Sequence, residues 1–354
     1  MRLESPSARE YGVCSTAVKT FFHPDQLRHA PIGYFSRGKM RPVQEIPERA
    51  LRLLNAARSM GFAVHEPQDY GLEPLVAVHS RDYLEFLRTA HDQWQGVPED
   101  WGDEVMSNIH VRHPNALRGI LAQAGFYLAD GSCPIGAGTW TGAYASAQSA
   151  VAGARDIISG ARRAWSLCRP PGHHARRDAA GGFCYLNNAA IAAELLSAQF
   201  GRVAILDTDM HHGQGVQEIF YRRRDVLYAS VHGDPTNFYP ATAGFSEERG
   251  EGAGVGCNLN LPMPHGASEA DFFLRVDEAI DAVRAFTPPV LVLALGFDIY
   301  REDPQSRVTV TTEGFGTLGA KIAQLNVPVL VVQEGGYHVG SLEANARSFF
   351  AGLG

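Results

Sequence analysis

Residues 203–215 read VAILDTDMHHGQG, four apolar residues running straight into Asp207, Asp209, His211 and His212. A continuous apolar run, as opposed to an alternating one, marks a strand buried on both faces, and such strands belong to parallel sheets covered by helices. The pattern recurs in VLYASVH (226–232), PVLVLALGFD (289–298) and PVLVVQEGG (328–336). Helical stretches lie between the runs: NNAAIAAELLSAQF (187–200) and EADFFLRVDEAIDAVRAF (269–286). In the second, Phe272, Val276, Ile280 and Val283 recur at helical spacing, and Ser268 is placed to cap the helix. Strands alternating with helices imply crossover connections and an α/β layered fold.

Ligands of open α/β sheets collect at the carboxyl ends of the strands, where this chain carries its unusual polar residues. Asp209 and His211 are one residue apart, so an extended strand end aims both side chains to one side, and Asp298 closes another apolar run. Two carboxylates and one imidazole can hold a catalytic zinc and leave a position open. In RPPGHHA (169–175), His173 and His174 follow a Pro-Pro-Gly bend; one can act as general base, the other as acid or electrostatic aid. In QEGGYH (333–338) the glycine pair permits close backbone approach, so that Tyr337 can present a phenol donor to a developing oxyanion.

The 354 residues carry a net charge of −7, which argues against a general nucleic-acid binder needing a basic face. With 45% hydrophobic and 19% charged residues the chain has material for a large core and too much for disorder. Its five cysteines (14, 133, 168, 184 and 257) lack CxxC spacing and suit a reducing compartment. The N-terminus shows no apolar signal segment, and no apolar run is long enough for a membrane span. The expectation is a soluble, cytoplasmic protein. No linker or repeat divides the chain, and the polar, aromatic stretch from His91 to His113 reads as an excursion from the sheet, with a lid or subunit contact among its possible roles.

Eight stretches in order, VHSRDYLEFL, GTWTGAYASA, SLCRPPGHHA, GGFCYLNNAAIAA, ILDTDMHHGQG, SVHGDP, LGFDIYREDP and VVQEGGY, resemble the zinc-dependent histone deacetylase family of the arginase/deacetylase superfamily. The likeness is greatest to its bacterial acetylpolyamine amidohydrolases. The resemblance implies one α/β domain over 19–354, after an N-terminal extension (1–18), with a parallel sheet of about eight strands between helices. It implies Asp209, His211 and Asp298 as zinc ligands, a site that iron(II) or cobalt can also fit. His174 would be the main base and acid, His173 its electrostatic partner, and Tyr337 the donor to the substrate carbonyl. Phe183 and Tyr239, where relatives commonly carry Phe, would wall the acyl tunnel beside Gly182. Asp207 would support the first histidine. A structural potassium ion would sit among Asp207, Asp209, His211, Ser230 and Val231. His212 and His232 are read as packed histidines. The implied reaction is metal-assisted hydrolysis of a small amide, and the 91–113 stretch, with Trp94 and Trp101 as interface or loop-packing residues, implies a homodimer or larger homo-oligomer.

Three departures bear on the substrate. Gln214 stands where relatives carry Asp or Asn to support the second histidine. Leu121 and Ser132 stand where acetylpolyamine amidohydrolases carry acidic residues for the distal ammonium; lysine deacetylases also use Asp at the second. An ammonium entering a narrow tunnel needs an anion or aromatic face. Asp103, Glu104 and Asp130 are the candidates to replace them. Acetylated amines and neutral or xenobiotic amides therefore both stand as substrates, beside a protein lysine deacetylase and, outside enzymes, an acetyl-ligand binding protein. An arginase-like ureohydrolase would need more Asp ligands for two manganese ions.

Overall fold

The computed structural model describes residues 18–113 and 116–354; the expected N-terminal extension, and Cys14 with it, lies outside apart from Val18. Ten strands follow in chain order: β1 (Lys19–Phe21), β2 (Gly33–Ser36), β3 (Lys39–Pro42), β4 (Ala63–His65), β5 (Arg163–Ser166), β6 (Val203–Asp207), β7 (Val226–Gly233), β8 (Asn258–Met263), β9 (Leu291–Leu295) and β10 (Val329–Gln333). Eight form one sheet in the order β4-β1-β5-β10-β9-β6-β7-β8, every neighbouring pair parallel. The other two, β2 and β3, make a separate antiparallel hairpin.

The apolar runs explain the layering. Every residue of β6, β9 and β10 is buried, and successive side chains alternate between two cores. Ala204, Leu206, Leu291 and Leu293 join the core under helices Pro47–Ser59, Glu269–Phe286, Thr312–Ala323 and Leu342–Leu353. Val203, Ile205, Val292 and Ala294 join that under Thr139–Ile158 and Asn188–Phe200. Burying each branched side chain stabilises the fold by about 1.5–3 kcal/mol. The helix 269–286 starts as expected, with Ser268 and Asp271 in a reciprocal capping box. Two strands are shorter than their apolar runs. After Leu295 and Gln333 the chains leave the regular ladder, with Phe297 N–H donating to Gly335 O at 3.0 Å.

The excursion also begins later than expected. Helix Arg81–Gln95 runs through His91, and Trp94 is buried in the core. The Trp94 indole N–H donates to Gly102 O at 3.1 Å, and its ring meets Trp101 edge-on at 4.9 Å. Both tryptophans pack the loop onto its helix.

Four buried groups lie behind the sheet ends: His29, Glu45, Arg49 and Arg169, each 1% exposed. Glu45 Oε1 is 2.6 Å from Arg49 Nη1 and 3.0 Å from Arg169 Nε. Removing one member of a buried ion cluster strands the others. Glu45→Ala should therefore cost about 3–5 kcal/mol, read as a lowered urea midpoint.

Buried histidines make the fold sensitive to acid. His79 accepts from Asn187 N–H at Nε2 (2.9 Å), which requires it neutral. Burial pushes His29, His79 and His232 from 6.5 down to about 4. Each base is thus protonated more readily in the unfolded chain. The stability they contribute is complete above pH 6.5 and is lost as pH falls toward 4, by roughly 3 kcal/mol per group. Urea midpoints measured across that window should fall steeply for the wild type and less steeply for His79→Gln.

Candidate active site

The sheet order sets β5, β10, β9 and β6 side by side, so the chain segments leaving their carboxyl ends converge. These segments carry His173 and His174, Tyr337, Asp298, and Asp209 with His211. The strand reading of the D-x-D-x-H segment needs correcting: β6 stops at Asp207. Beyond it the chain bends, each carboxylate accepting the amide two residues on. Asp207 Oδ1 takes Asp209 N–H at 3.1 Å, and Asp209 Oδ1 takes His211 N–H at 3.0 Å. These turns, not strand pleating, bring Asp209 and His211 together.

Asp209, His211 and Asp298 each offer a ligand atom, all within 4.8 Å of one another. His211 Nδ1 is 3.3 Å from Asp209 Oδ1 and 3.1 Å from Asp298 Oδ2. A tetrahedral ion with bonds near 2.0–2.1 Å sets its ligands about 3.3 Å apart, so the donor set fits a zinc-like cation. Burial and the Asp209 carboxylate raise Asp298 to about 7. Burial would raise Asp209 too, but His173 and His211 outweigh it and hold that carboxyl low. Asp298 Oδ1 accepts Met210 N–H at 2.9 Å, and Asp209 Oδ2 accepts Gly335 N–H at 2.8 Å. A side chain at Gly335 would run into both carboxylates.

The two histidine rings lie 3.9 Å apart between centroids, tilted by 40°, and are held differently. His173 Nδ1 lies 2.9 Å from Asp207 Oδ2, with Asp209 Oδ1 3.7 Å from its Nε2. Burial opposes charge there, yet Asp207 and Asp209 prevail and lift His173 to about 10. His174 Nδ1 lies 2.6 Å from the neutral Gln214 Oε1. Burial, then His173 and His211, push His174 well below its usual range. The neighbouring carboxylates favour charge on the first ring, whereas burial favours the neutral form of the second.

Tyr337 is clamped from both sides. Asp303 Oδ2 accepts its N–H at 2.6 Å and that of His338 at 2.8 Å. Arg49 donates to the carbonyls of Glu334 and Gly336 and lies 4.8 Å from the phenol centroid. Burial raises the phenol pKa against the pull of Arg49, so Tyr337 stays a donor. Glu334 Oε2 accepts Gly172 N–H at 2.7 Å and His173 N–H at 3.1 Å, pinning the histidine bend to β10. Asp303, Arg49 and Glu334 were not singled out from the sequence; the last sits inside the quoted QEGGYH, and its proximity to glycine was the available signal.

A cavity of about 310 Å³ is lined by His174, His211, Tyr337, Phe183, Tyr239, Gly182 and Ser132, among others. Phe183 holds φ +67°, a left-handed conformation costing an ordinary residue about 1–3 kcal/mol, and stands edge-on to Tyr34 and Tyr337. A side chain at Gly182 would collide with the His174 ring. Leu121 is not in the lining; it packs on helix Ile120–Tyr127 against the core. Asp207 pairs with Ser230 in the β6–β7 ladder. His212 and His232 pack ring to ring at 4.7 Å outside the lining. No Asp or Glu lines the cavity among the described residues, whereas Arg37, Arg41 and Arg307 do. Of the replacement acids, Asp130 is saturated by internal donors, and Glu104 accepts Ile32 N–H at 2.9 Å.

The chain has known relatives. The chain is 67% identical to "Acetylpolyamine amidohydrolase" of Burkholderia pseudomallei (strain 1710b), over 95% of this chain and 98% of that one. It is 44% identical to "Acetylpolyamine amidohydrolase 1" of Pseudomonas aeruginosa, over 89% and 92%. The crystal structure of an acetylpolyamine aminohydrolase from Burkholderia pseudomallei superposes with a TM-score of 0.95 at 66% identity, covering 96% of this chain and 99% of that one. The histone deacetylase domain matches residues 42–353, and this chain therefore belongs to the histone deacetylase family.

Proposed function

We propose that the chain hydrolyses the amide of small acylated amines, as the names of its acetylpolyamine amidohydrolase relatives suggest. One observation carries this reading: three side chains able to hold a metal ion, two adjacent histidines held by different partners, and a clamped phenol meet at the ends of four neighbouring strands around a small cavity. Asp209, His211 and Asp298 would hold zinc, with iron(II) or cobalt as alternatives; when bound, the ion supplies carbonyl polarisation and acidifies water. His174, neutral, takes the proton of the attacking water. The water oxygen bonds to the carbonyl carbon, Tyr337 donates to the oxygen that becomes negative, and the C–N bond then breaks as a histidinium returns a proton to the leaving amine. Charged His173 steadies the anionic stage. Phe183 and Tyr239 line up the acyl chain and exclude bulk water.

A structural potassium ion would sit among Asp207, Asp209, His211, Ser230 and Val231; Asp207 and Ser230 are register partners on neighbouring strands. Self-association is supported by Ile32, Phe35 and Met40, large apolar residues exposed on and beside the β2–β3 hairpin. No helix among the described residues is long and apolar enough to cross a membrane.

A second reading, a neutral-amide hydrolase, is favoured by the arginine-bearing cavity without carboxylates. The deciding experiment compares turnover of N-acetylputrescine, an acetyl-lysine peptide and a neutral acetylated alkylamine by zinc-loaded protein. Preference for the diamine supports the acetylpolyamine reading, and preference for the alkylamine replaces it with the second. The peptide winning would sink both, and no hydrolysis with zinc bound would leave a binding protein.

A further inference from the structure

The direction of each hydrogen bond leading to His174 follows from one carboxylate, that of Asp130. Its Oδ1 accepts Ser132 N–H at 2.8 Å and the Ser132 hydroxyl. Its Oδ2 accepts Gly182 N–H at 3.2 Å and faces the Tyr239 hydroxyl at 2.7 Å. Both oxygens already accept backbone N–H groups, and the Tyr239 hydroxyl donates to Oδ2. The Tyr239 oxygen is then left as an acceptor, and Gln214 Nε2 lies 3.2 Å away to donate. That turns the other end of the amide, Oε1, toward His174 Nδ1 at 2.6 Å. An amide oxygen can only accept, so Nδ1 carries the proton and Nε2 is the bare nitrogen.

Gln214 alone could not enforce this. A carboxylate beside Nδ1 accepts with either oxygen, whereas an amide rotated by a half-turn presents NH₂, which selects the opposite tautomer and leaves Nε2 unable to take a proton. Tyr239 also stands edge-on to the His174 ring at 4.8 Å. We propose that Asp130 and Tyr239 are positioning residues that fix the amide of Gln214 and, through it, the reactive tautomer of His174. The proposal rests on the reading of His174 as the proton acceptor. It gives a joint role to three residues that otherwise look like separate departures, Gln214, Tyr239 and Ser132, because Ser132 both donates to Asp130 and accepts Gly182 N–H at 3.0 Å.

The test is Tyr239→Phe, which keeps the ring and removes the hydroxyl. Kinetics use whichever of the three amides above is hydrolysed fastest, and the tautomer is read by long-range ¹H–¹⁵N correlation on zinc-loaded, ¹⁵N-histidine-labelled protein. The wild type should show His174 protonated at Nδ1. In the variant this signature should give way to a mixture of tautomers. Its kcat should fall roughly tenfold with KM changed less than twofold, short of the 10²–10⁴ that a whole general base supplies. Asp130→Asn, which can point NH₂ at Tyr239, should shift the tautomer in the same direction. Gln214→Leu combined with Tyr239→Phe should be no slower than Gln214→Leu alone, since both act through one amide. An unchanged tautomer and kcat in Tyr239→Phe would overturn the proposal. Full activity in His174→Ala would instead overturn the reading of the base, a separate result.

Discussion

Turnover should fall to background when the protein is stripped with a chelator, return on titration with zinc, and fall by about 10³-fold or more in Asp298→Asn at saturating substrate. The magnitude follows from the several kcal/mol that a bound ion contributes to stabilising transition-state charge, at 1.4 kcal/mol per decade. The substitution is chosen because Asn can still accept Met210 N–H through one oxygen, so the fold at the end of β9 should survive while one of the two carboxylates proposed to hold the ion is gone. The stripped protein should also be less stable. Asp209 and Asp298 are buried side by side, and without a cation burial and mutual repulsion disfavour their joint ionisation. An ion at a hundred times its dissociation constant adds about 2.7 kcal/mol, visible as a rise in melting temperature that Asp298→Asn should lack. Metal content by mass spectrometry provides the control. Hydrolysis at the wild-type rate by protein shown to be metal-free would remove the ion from the mechanism.

The central strands were legible because burial on both faces leaves an uninterrupted apolar run, as in VAILD and VLYASVH. The two strands on one side of the sheet were not: Lys19–Phe21 and Ala63–His65 are three residues each, too short for any period. The residues gathered at the strand ends were visible as unusual polar groups next to apolar runs. Their supports were not, since Arg49 lies on an ordinary amphipathic helix near the N-terminus and meets the carbonyls of Glu334 and Gly336 only through the sheet order. Leu121 shows the opposite failure. The resemblance implied a place near the tunnel, but helix Ile120–Tyr127 packs that residue against the core. Asp130 was named as a replacement anion on charge alone. The four donors that saturate it include a serine hydroxyl two residues on and a tyrosine 109 positions away, and a contact of that range leaves no trace in local spacing.

Tyr337→Phe should lower kcat by about 10²–10³ while KM stays within a few-fold, the loss typical of removing one oxyanion donor. The substitution isolates the hydroxyl because everything else that holds the ring remains. Asp303 grips the backbone N–H groups of residues 337 and 338, Arg49 holds the flanking carbonyls, and the ring keeps its faces toward Arg49 and Phe183. The melting temperature should therefore hardly move. Burial keeps the phenol protonated far above neutral pH, so its contribution is donation of a hydrogen bond and not transfer of charge, and the fold-loss should be the same at pH 7 and pH 9. The split between kcat and KM decides the role. A donor that met the ground-state carbonyl as strongly as the oxyanion would raise KM and leave kcat alone; a donor placed for the tetrahedral stage lowers kcat. A raised KM at unchanged kcat would assign Tyr337 to substrate binding, and would leave the charged His173 as the main group of this chain facing the developing anion.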